Sequence, residues 1–439
     1  LVKRYKEVII YDEDLLAYNK DKAVSTEAEG WEFIYQDLKF AADNLPAKET
    51  AKGRINKGMA WAFMTRAMLY AQRWENVITA AEEVEKLGYV LETNYADAYS
   101  KAVNAGNKEA IIQYLFDRAN DVTHSYDFYY TPGGDYSLNG ETGGGYGTPT
   151  QEMVESYELA KGGFPNWTAW HATTTQTPPY ADLEPRFHAT ILYNGSPWKG
   201  RKIEPFVGGA DGWCQWNIDR EPVGRTTTGY YLRKLVDESH DVIAHSGGVQ
   251  PLIIMRYAEV LLNYAEAKER LGQLTQADLD NTINLLRDRV GMVHMELSNL
   301  PAGSDIRTEI QRERRIELFF EGHRYFDMVR WKEGKAFEQP LLGMYFPGPG
   351  EYDLNEDGVN DVHLYKGKTP TTSTSSVLLQ IGQDILLSDG DKGCVFPHKG
   401  NTGRWNESRD YLYPIPTDDR SLTFGALTQN PGWNDGLDF

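Results

Sequence analysis

The stretch ERRIELFFEGHRYFDMVRWK places carboxylates, a histidine and aromatic rings within twenty positions. Glu317, Glu321 and Asp327 are of the residue type that transfers protons in general acid–base catalysis, and His323 lies between them. An active site needs such groups to converge across a cleft, and spacing along one helix does not produce that convergence. We therefore expect these four side chains to be structural, and we assign no catalytic residue.

The same stretch has the periodicity of two packed amphipathic helices, with Gly322 interrupting the pattern. The apolar positions are Ile306, Ile310, Ile316, Phe319 and Phe320 on the first face, and Tyr325, Phe326, Val329 and Trp331 on the second. On the polar side, Arg314 and Glu317 have the i,i+3 spacing of a salt bridge. Asp327 and Arg330 have the same spacing. The stretch is therefore predicted to be scaffold, away from any ligand.

Further amphipathic helices are predicted on the N-terminal side of this stretch. They occupy residues 31–46, 56–74, 75–88, 251–272 and 277–292. Gly88 and Gly272 close two of them, as glycine often does after a helix. Helix pairs of about 34 residues with small side chains at their contacts are typical of tetratricopeptide-type repeats. An ordinary helical hairpin is the alternative.

The helical period disappears over the middle of the chain, where loops rich in Gly, Pro and Thr predominate. Short strands are predicted at 186–198 and 229–237. The fold class is therefore predicted to be mainly α, a tetratricopeptide-like scaffold carrying a large irregular lobe with short strands. The predicted domains are helical scaffold at 1–90, an irregular lobe at 91–250, helical scaffold at 251–335, and an irregular C-terminal segment packed on the scaffold at 336–439.

Composition excludes some partners. The chain has 45 basic and 64 acidic residues, a net charge of −19, and no basic block, so nucleic-acid binding is not expected. No apolar run reaches the roughly 18–20 residues that span a bilayer. Cys214 and Cys394 fit no metal-ligand spacing, and whether they pair stays open.

A second local motif, DLNEDGVND, resembles the first nine positions of a calcium loop. The predicted ligands are the side chains of Asp353, Asn355, Asp357 and Asp361 and the carbonyl of Val359. Gly358 stands at the sharp turn, whereas Leu364 replaces the acid expected at the twelfth position. Structural calcium is the prediction, a solvated acidic turn is the alternative, and no other cofactor is expected.

Several enzyme signatures fail. The phosphate-loop pattern is broken at Val362, and the sequence has no Gly-x-Ser-x-Gly elbow and no His-Glu-x-x-His. Carboxylates are numerous enough to form a glycosidase pair, so a glycoside hydrolase stays an alternative.

Several parts of the chain together resemble the SusD/RagB family of Bacteroidetes. RRERRIELFFEGHRYFDMVRWK is similar to the family's signature helix pair, and MRYAEVLLNYAEAKERLGQ is similar to the pair before it. EPRFHATILYNGSPW and GYYLRKLVD resemble its middle segment, and YPIPTDDRSLTFGALTQNPGW resembles its end. The matches extend from about residue 31 to residue 439, nearly the whole chain.

This resemblance implies a lipid-anchored outer-membrane protein at the cell surface that is not an enzyme. Family members capture oligosaccharides or polysaccharides and deliver them to a SusC-like TonB-dependent transporter, and some members bind peptides. A helical-repeat scaffold that binds only protein is another alternative, and it would explain the helices but not the Trp-rich loops. Members begin with a lipidated cysteine, which is absent here, so N-terminal sequence is expected to be missing together with the lipid that would contact the membrane.

If the ligand is a sugar, aromatic rings in the loop-rich lobe are the candidate contacts, because Trp and Tyr stack on the C–H faces of pyranoses. The candidates are Trp167, Trp170, Trp198, Trp213, Trp216, Tyr129, Tyr130 and Tyr136. One or two of these rings are expected to contact ligand.

Overall fold

A computed structural model of the chain describes most of its length. The described residues are 1–11, 23–47, 53–137, 143–171, 178–212, 225–245, 247–397, 403–423 and 426–434. Among them, no helix combines the length and the apolar character needed to cross a membrane.

Helices dominate the scaffold. The α-helices are Val2–Tyr5 (α1), Glu27–Asn44 (α2), Lys57–Tyr70 (α3), Trp74–Glu85 (α4), Asp97–Ser100 (α5), Tyr126–Tyr130 (α6), Gly134–Ser137 (α7), Gln151–Glu155 (α8), Trp167–His171 (α9), Pro185–Thr190 (α10), Tyr257–Arg270 (α11), Gln276–Asp280 (α12), Ile283–Arg289 (α13), Ile306–Glu317 (α14), Arg324–Trp331 (α15) and Thr417–Leu422 (α16). Short 3₁₀ helices occupy Val103–Ala105, Arg118–Asn120, Pro179–Asp182 and Gly334–Glu338.

The strands are short and form several small sheets. They are Ala110–Tyr114 (β1), Ile191–Leu192 (β2), Pro197–Trp198 (β3), Arg201–Lys202 (β4), Tyr231–Leu232 (β5), Leu252–Arg256 (β6), Tyr345–Phe346 (β7), Gly350–Tyr352 (β8), Val362–Tyr365 (β9), Val377–Gln380 (β10), Leu387–Asp389 (β11) and Lys392–Val395 (β12). β1 pairs with β6, β2 with β5 and β3 with β4, all antiparallel. β9 lies between β8 and the parallel β10, and β12 lies between β7 and β11.

Local sequence explains where the long helices begin. The Thr26 hydroxyl accepts a hydrogen bond from the backbone N–H of Glu29, and the Glu29 carboxylate accepts one from the N–H of Thr26, which forms a capping box before α2. Asn56 caps α3 by accepting from the N–H of Met59. These caps satisfy backbone donors that a helix start leaves unpaired.

Two large hydrophobic cores divide the molecule. The first joins α2, α3 and α4 to α11, α13 and α14, so helices distant in sequence share one interior. The second joins α8 and α10 to strands β9, β10 and β12. Ile316 of α14 belongs to this second core and Ile310 to the first, so α14 connects the scaffold to the strand-rich part.

The fold class is confirmed: the described chain is mainly helical, loop-rich and contains short strands. Several local predictions were wrong. Residues 186–190, predicted as strand, belong to α10, where Pro185 occupies the first turn as proline prefers. Residues 252–256, predicted as the start of a helix, form β6, because they pair with β1. The C-terminal segment was predicted to be mostly irregular, and the structure adds the six short strands β7 to β12 to that description.

Candidate ligand-binding site

Glu317 and Glu321 of the signature stretch lie in a buried ion-pair network. The Arg256 guanidinium donates to Glu317 at 2.6 Å, to Glu321 at 2.7 and 2.9 Å and to Glu109 at 2.8 Å. Arg289 donates to the same Glu317 oxygen at 2.6 Å. Burial opposes ionisation of Glu317, but Arg289 and Arg256 outweigh it and hold its pKa well below the usual value. These acids therefore join elements of the scaffold.

The pairing within the signature helices differs partly from the prediction. The predicted Arg314–Glu317 salt bridge was wrong, since Arg314 donates to Asp327 at 2.7 Å and to Asn263 at 2.7 Å instead. The predicted Asp327–Arg330 pair is confirmed at 2.9 Å. The helix break is also confirmed, because α14 and α15 are separated by a turn in which Gly322 has a φ of 82°.

Three of the predicted ligand-contacting rings lie in the interior. Trp198 is 0% exposed, and its indole N–H donates to the Asp135 carboxylate at 3.1 Å. Tyr136 is 2% exposed and donates to the carbonyl of Phe128 at 3.0 Å. Trp167 is also buried and packs in the second core. In this structure these rings support the lobe from inside and do not present a face to a ligand.

The remaining candidates differ in exposure. Tyr129 is 44% exposed and makes an edge contact with Tyr146, which is 67% exposed and was not among the predicted residues. Tyr130 and Trp170 are half-buried, and Trp170 packs against the ring of Tyr345. Trp213 and Trp216 lie outside the described residues. Of the predicted rings, Tyr129 is therefore the one that forms an exposed aromatic surface in the described part of the chain, together with its neighbour Tyr146.

A polar pocket of 430 Å³ opens beside the β3–β4 hairpin, and we call it the hairpin pocket. It is lined by Asp135, Lys199, Arg201 and residues 238–243. Lys199 and Gly200 form the turn with φ values of 45° and 78°, the left-handed pair that matches the twist of a tight hairpin. A lysine is unusual in that conformation, and its Nζ donates to the His240 carbonyl at 2.8 Å. The hairpin thus holds a cation at the wall of an open pocket.

Arg201 organises the floor of the hairpin pocket. Its guanidinium donates to both oxygens of Asp211, at 2.6 and 2.8 Å, and to Asp135 at 2.8 Å. Burial raises the pKa of Asp135, but hydrogen bonds from Thr131 and Arg201 and the charge of Lys199 outweigh it and lower that pKa overall. The charged groups of the floor are therefore already paired with one another.

The rim of the hairpin pocket offers further polar groups. The Glu238 side chain is 42% exposed, and it accepts from Arg233 at 2.9 Å. Asp241 accepts from the backbone N–H groups of Ile243 and Ala244, which fixes the turn at the rim. Sequence periodicity had no means of finding this pocket, because its residues come from three separate segments.

A larger cleft of 660 Å³ lies between residues 146–150 and the turn at 318–325, and we call it the signature cleft. Phe320, 38% exposed, and Tyr146 lie at this cleft, as do Arg314, Arg315 and Arg324. The sequence interpretation assigned this stretch to scaffold alone, and the structure adds a concave surface at its turn.

The predicted calcium loop forms a tight turn whose side chains bind its own backbone. Asp353 accepts from the N–H groups of Asp357 and Gly358, at 3.1 and 2.8 Å. Asp361 accepts from Leu354 at 2.7 Å, and its pKa is raised by burial and by the charges of Asp357 and Asp353. Over the described residues, no group of three or more metal-ligating side chains is close enough to hold an ion. Calcium binding stays a prediction.

The sequence left open whether Cys214 and Cys394 form a disulfide bond. Cys394 carries a free, buried thiol, and Cys214 lies outside the described residues. Burial raises the pKa of the Cys394 thiol to about 12.

The helical scaffold and its loop-rich lobe with short strands place the chain in a class of mainly helical, loop-rich folds. Residues 108–433 match the SusD family, and the chain belongs to that family. A SusD-like protein of Bacteroides ovatus is 24% identical over 341 residues, which cover 74% of this chain and 54% of that protein. The chain thus spans about half the length of this curated relative.

Solved structures share the fold. A SusD-like protein from Bacteroides fragilis is 28% identical with a TM-score of 0.66, covering 98% of this chain and 76% of that one. A SusD-like carbohydrate binding protein from the same species is 22% identical with a TM-score of 0.71, covering 96% and 75%. A laminarin binding SusD-like protein is 24% identical with a TM-score of 0.51, covering 76% and 68%.

Proposed function

We propose that this chain is a glycan-binding protein and that its ligand contacts the hairpin pocket. The observation that carries the proposal is the convergence of Lys199, Arg201 and Glu238 on one open pocket of the loop-rich lobe. Sugar hydroxyls both donate and accept hydrogen bonds, so a site with charged donors and carboxylate acceptors side by side suits them. The paired floor preorganises the pocket, which lowers the entropy lost on binding.

Two further observations support a glycan. The exposed Tyr129–Tyr146 pair belongs to the same lobe, and α6, which carries Tyr129, directly precedes the segment that supplies Asp135. Tyrosine faces stack on the C–H surface of sugar rings. Family membership agrees, since one structural neighbour is named as carbohydrate binding and another as laminarin binding.

The test is isothermal titration of soluble oligosaccharides, laminarihexaose first, against the wild type and two variants, Lys199→Met and Glu238→Gln. Loss of a charge-assisted hydrogen bond costs about 1.5–3 kcal/mol, so each variant is expected to bind at least about tenfold more weakly. Lys86→Met is the matched control, because Lys86 directly follows α4, is 66% exposed and pairs with Glu83, three positions earlier. Equal affinity in all four proteins, with unchanged circular dichroism, would contradict the hairpin pocket as the site.

A peptide-binding role and a glycoside hydrolase remain the competing functions. Competition of the glycan by a peptide mixture tests the first. For the second, the chain is incubated with oligosaccharides and the products are separated by chromatography. Under our proposal the peptide mixture does not displace the glycan and the oligosaccharide length does not change.

We propose further that the chain acts at the outer-membrane surface, anchored by an N-terminal lipid, and passes glycan to a SusC-like TonB-dependent transporter. Support comes from family membership. Co-purification of the full-length lipoprotein with its neighbouring transporter, expressed together in a Bacteroides host, tests this partner. Recovery of the lipoprotein in the soluble fraction without the transporter would argue against it.

A further inference from the structure

The signature cleft holds more positive charge than its own carboxylates neutralise. Arg324 is half-buried at the cleft and, within the described residues, makes no hydrogen bond or ion pair. Burial and the neighbouring charge of Arg315 lower its pKa, and together they outweigh the charges of Glu152, Glu333 and Asp327, which act in the opposite direction. A cation in such a position is destabilised unless an anion joins it.

Nearby carboxylates compensate the charge of Arg324 only in part, because two of them are already paired with the other two arginines of the cleft. Arg315 donates to Glu152 at 2.9 Å, so this 67% exposed carboxylate is shared between its partner Arg315 and the nearby charge of Arg324. Arg314 is 1% exposed, and its Nη2 has no hydrogen-bond partner in the described part of the chain. Asp327, which lines the cleft, is shared between Arg314 at 2.7 Å and Arg330 at 2.9 Å.

Aromatic side chains stand beside these cations. Phe320 has a φ of 61°, a left-handed conformation that a bulky aromatic residue rarely adopts, and its ring is 38% exposed at the cleft. Residues held in such backbone conformations cluster at functional sites. Tyr146 lies at the same cleft and is 67% exposed.

We propose that the signature cleft binds the carboxylate of an acidic sugar, with Arg324 pairing with the carboxylate and the rings of Tyr146 and Phe320 contacting the sugar face. A guanidinium beside aromatic faces suits a uronate, which carries a planar carboxylate on an apolar-faced ring. The choice of a sugar over another carboxylate rests on the proposed function, whereas the choice of an anion rests on the arginines alone. The cleft, at 660 Å³, accommodates a short oligosaccharide.

The test uses trigalacturonate and its fully methyl-esterified form as probes, titrated into the whole chain. Trigalacturonate is expected to bind, and the neutral ester at least about tenfold more weakly, because it lacks the charge-assisted contact. Arg324→Gln is expected to lower the affinity for trigalacturonate by a similar factor and to leave the affinity for the ester unchanged. Higher salt is expected to weaken only the acidic probe.

Two comparisons make the outcome decisive. Arg118→Gln is the matched control, because Arg118 is exposed and lines neither the cleft nor the hairpin pocket. Lys199→Met separates the two proposals, because it alters the hairpin pocket and leaves the signature cleft intact. If this variant binds trigalacturonate as tightly as the wild type does, the cleft is supported as the site even if the hairpin pocket binds nothing. Equal binding of acid and ester, or no effect of Arg324→Gln in a folded protein, overturns the inference. Triglutamate peptide binding as tightly as trigalacturonate overturns the assignment to a sugar.

Discussion

Replacement of Arg256 by methionine tests whether the signature stretch is scaffold. Arg256 is 0% exposed at the end of β6 and contacts the carboxylates of Glu109, Glu317 and Glu321. Methionine has a similar length and no charge, so the substitution removes the central cation without creating a large cavity. If these acids hold the scaffold together, the free energy of unfolding must fall substantially.

The size of the loss follows from what each carboxylate keeps. Removing one partner of a buried ion pair costs about 3–5 kcal/mol. Glu317 retains Arg289 at 2.6 Å, and Glu321 retains Lys234 at 2.7 Å. No carboxylate is left without a cation, so we expect a loss near the lower end, about 3 kcal/mol.

Urea denaturation followed by circular dichroism and tryptophan fluorescence measures this loss. Arg307→Met is the control, because Arg307 is 49% exposed and pairs with Glu269 near the surface, where such pairs contribute about 0–1 kcal/mol. Equal losses in the two variants, or a loss below about 1 kcal/mol for Arg256→Met, would show that these buried ion pairs do not hold the scaffold together.

Three further outcomes are expected. The pKa values of Glu321 and Asp327 are held at about 2, below 4.5 and 3.8, because Arg256 and Arg314 outweigh burial. Between these pH values the unfolded chain binds more protons than the folded chain, so stability is lost as pH falls from about 4.5 toward 2. Urea denaturation midpoints at several pH values check this, and the midpoint of Glu321→Gln is expected to depend less on pH. Excess calcium is expected to raise the melting temperature relative to EDTA, and Asp353→Asn is expected to abolish the difference; equal melting of the wild type in both would contradict the calcium prediction. Cys394 is expected to resist iodoacetamide at pH 8 until urea unfolds the chain, as peptide mass mapping would show; rapid native labelling would contradict its burial.

Helix periodicity predicted much of the scaffold because it depends on neighbouring residues. Residues 31–46 were predicted as one helix, and α2 covers Glu27–Asn44. The break at Gly322 was predicted for the same local reason. By contrast, β6 exists because it pairs with β1, about 140 positions earlier in the chain, and no local pattern reports that partner.

The site was less predictable than the fold. Aromatic type and loop context selected Trp198 as a contact, yet its indole is closed off by Asp135, a residue 63 positions away. Tyr146 was missed because nothing in its glycine-rich neighbourhood distinguishes an exposed ring from a buried one. Exposure depends on which segments pack together, and composition does not record that packing.

Patterns in the sequence were enough to predict the two amphipathic helices on either side of Gly322 and the resemblance to one family. The tertiary structure decided which cation meets each carboxylate, which rings reach solvent, and where pockets open. Helix formation depends on residues three or four positions apart, whereas the ion pair between Arg256 and Glu109 joins residues 147 positions apart, and no local pattern reports such a partner.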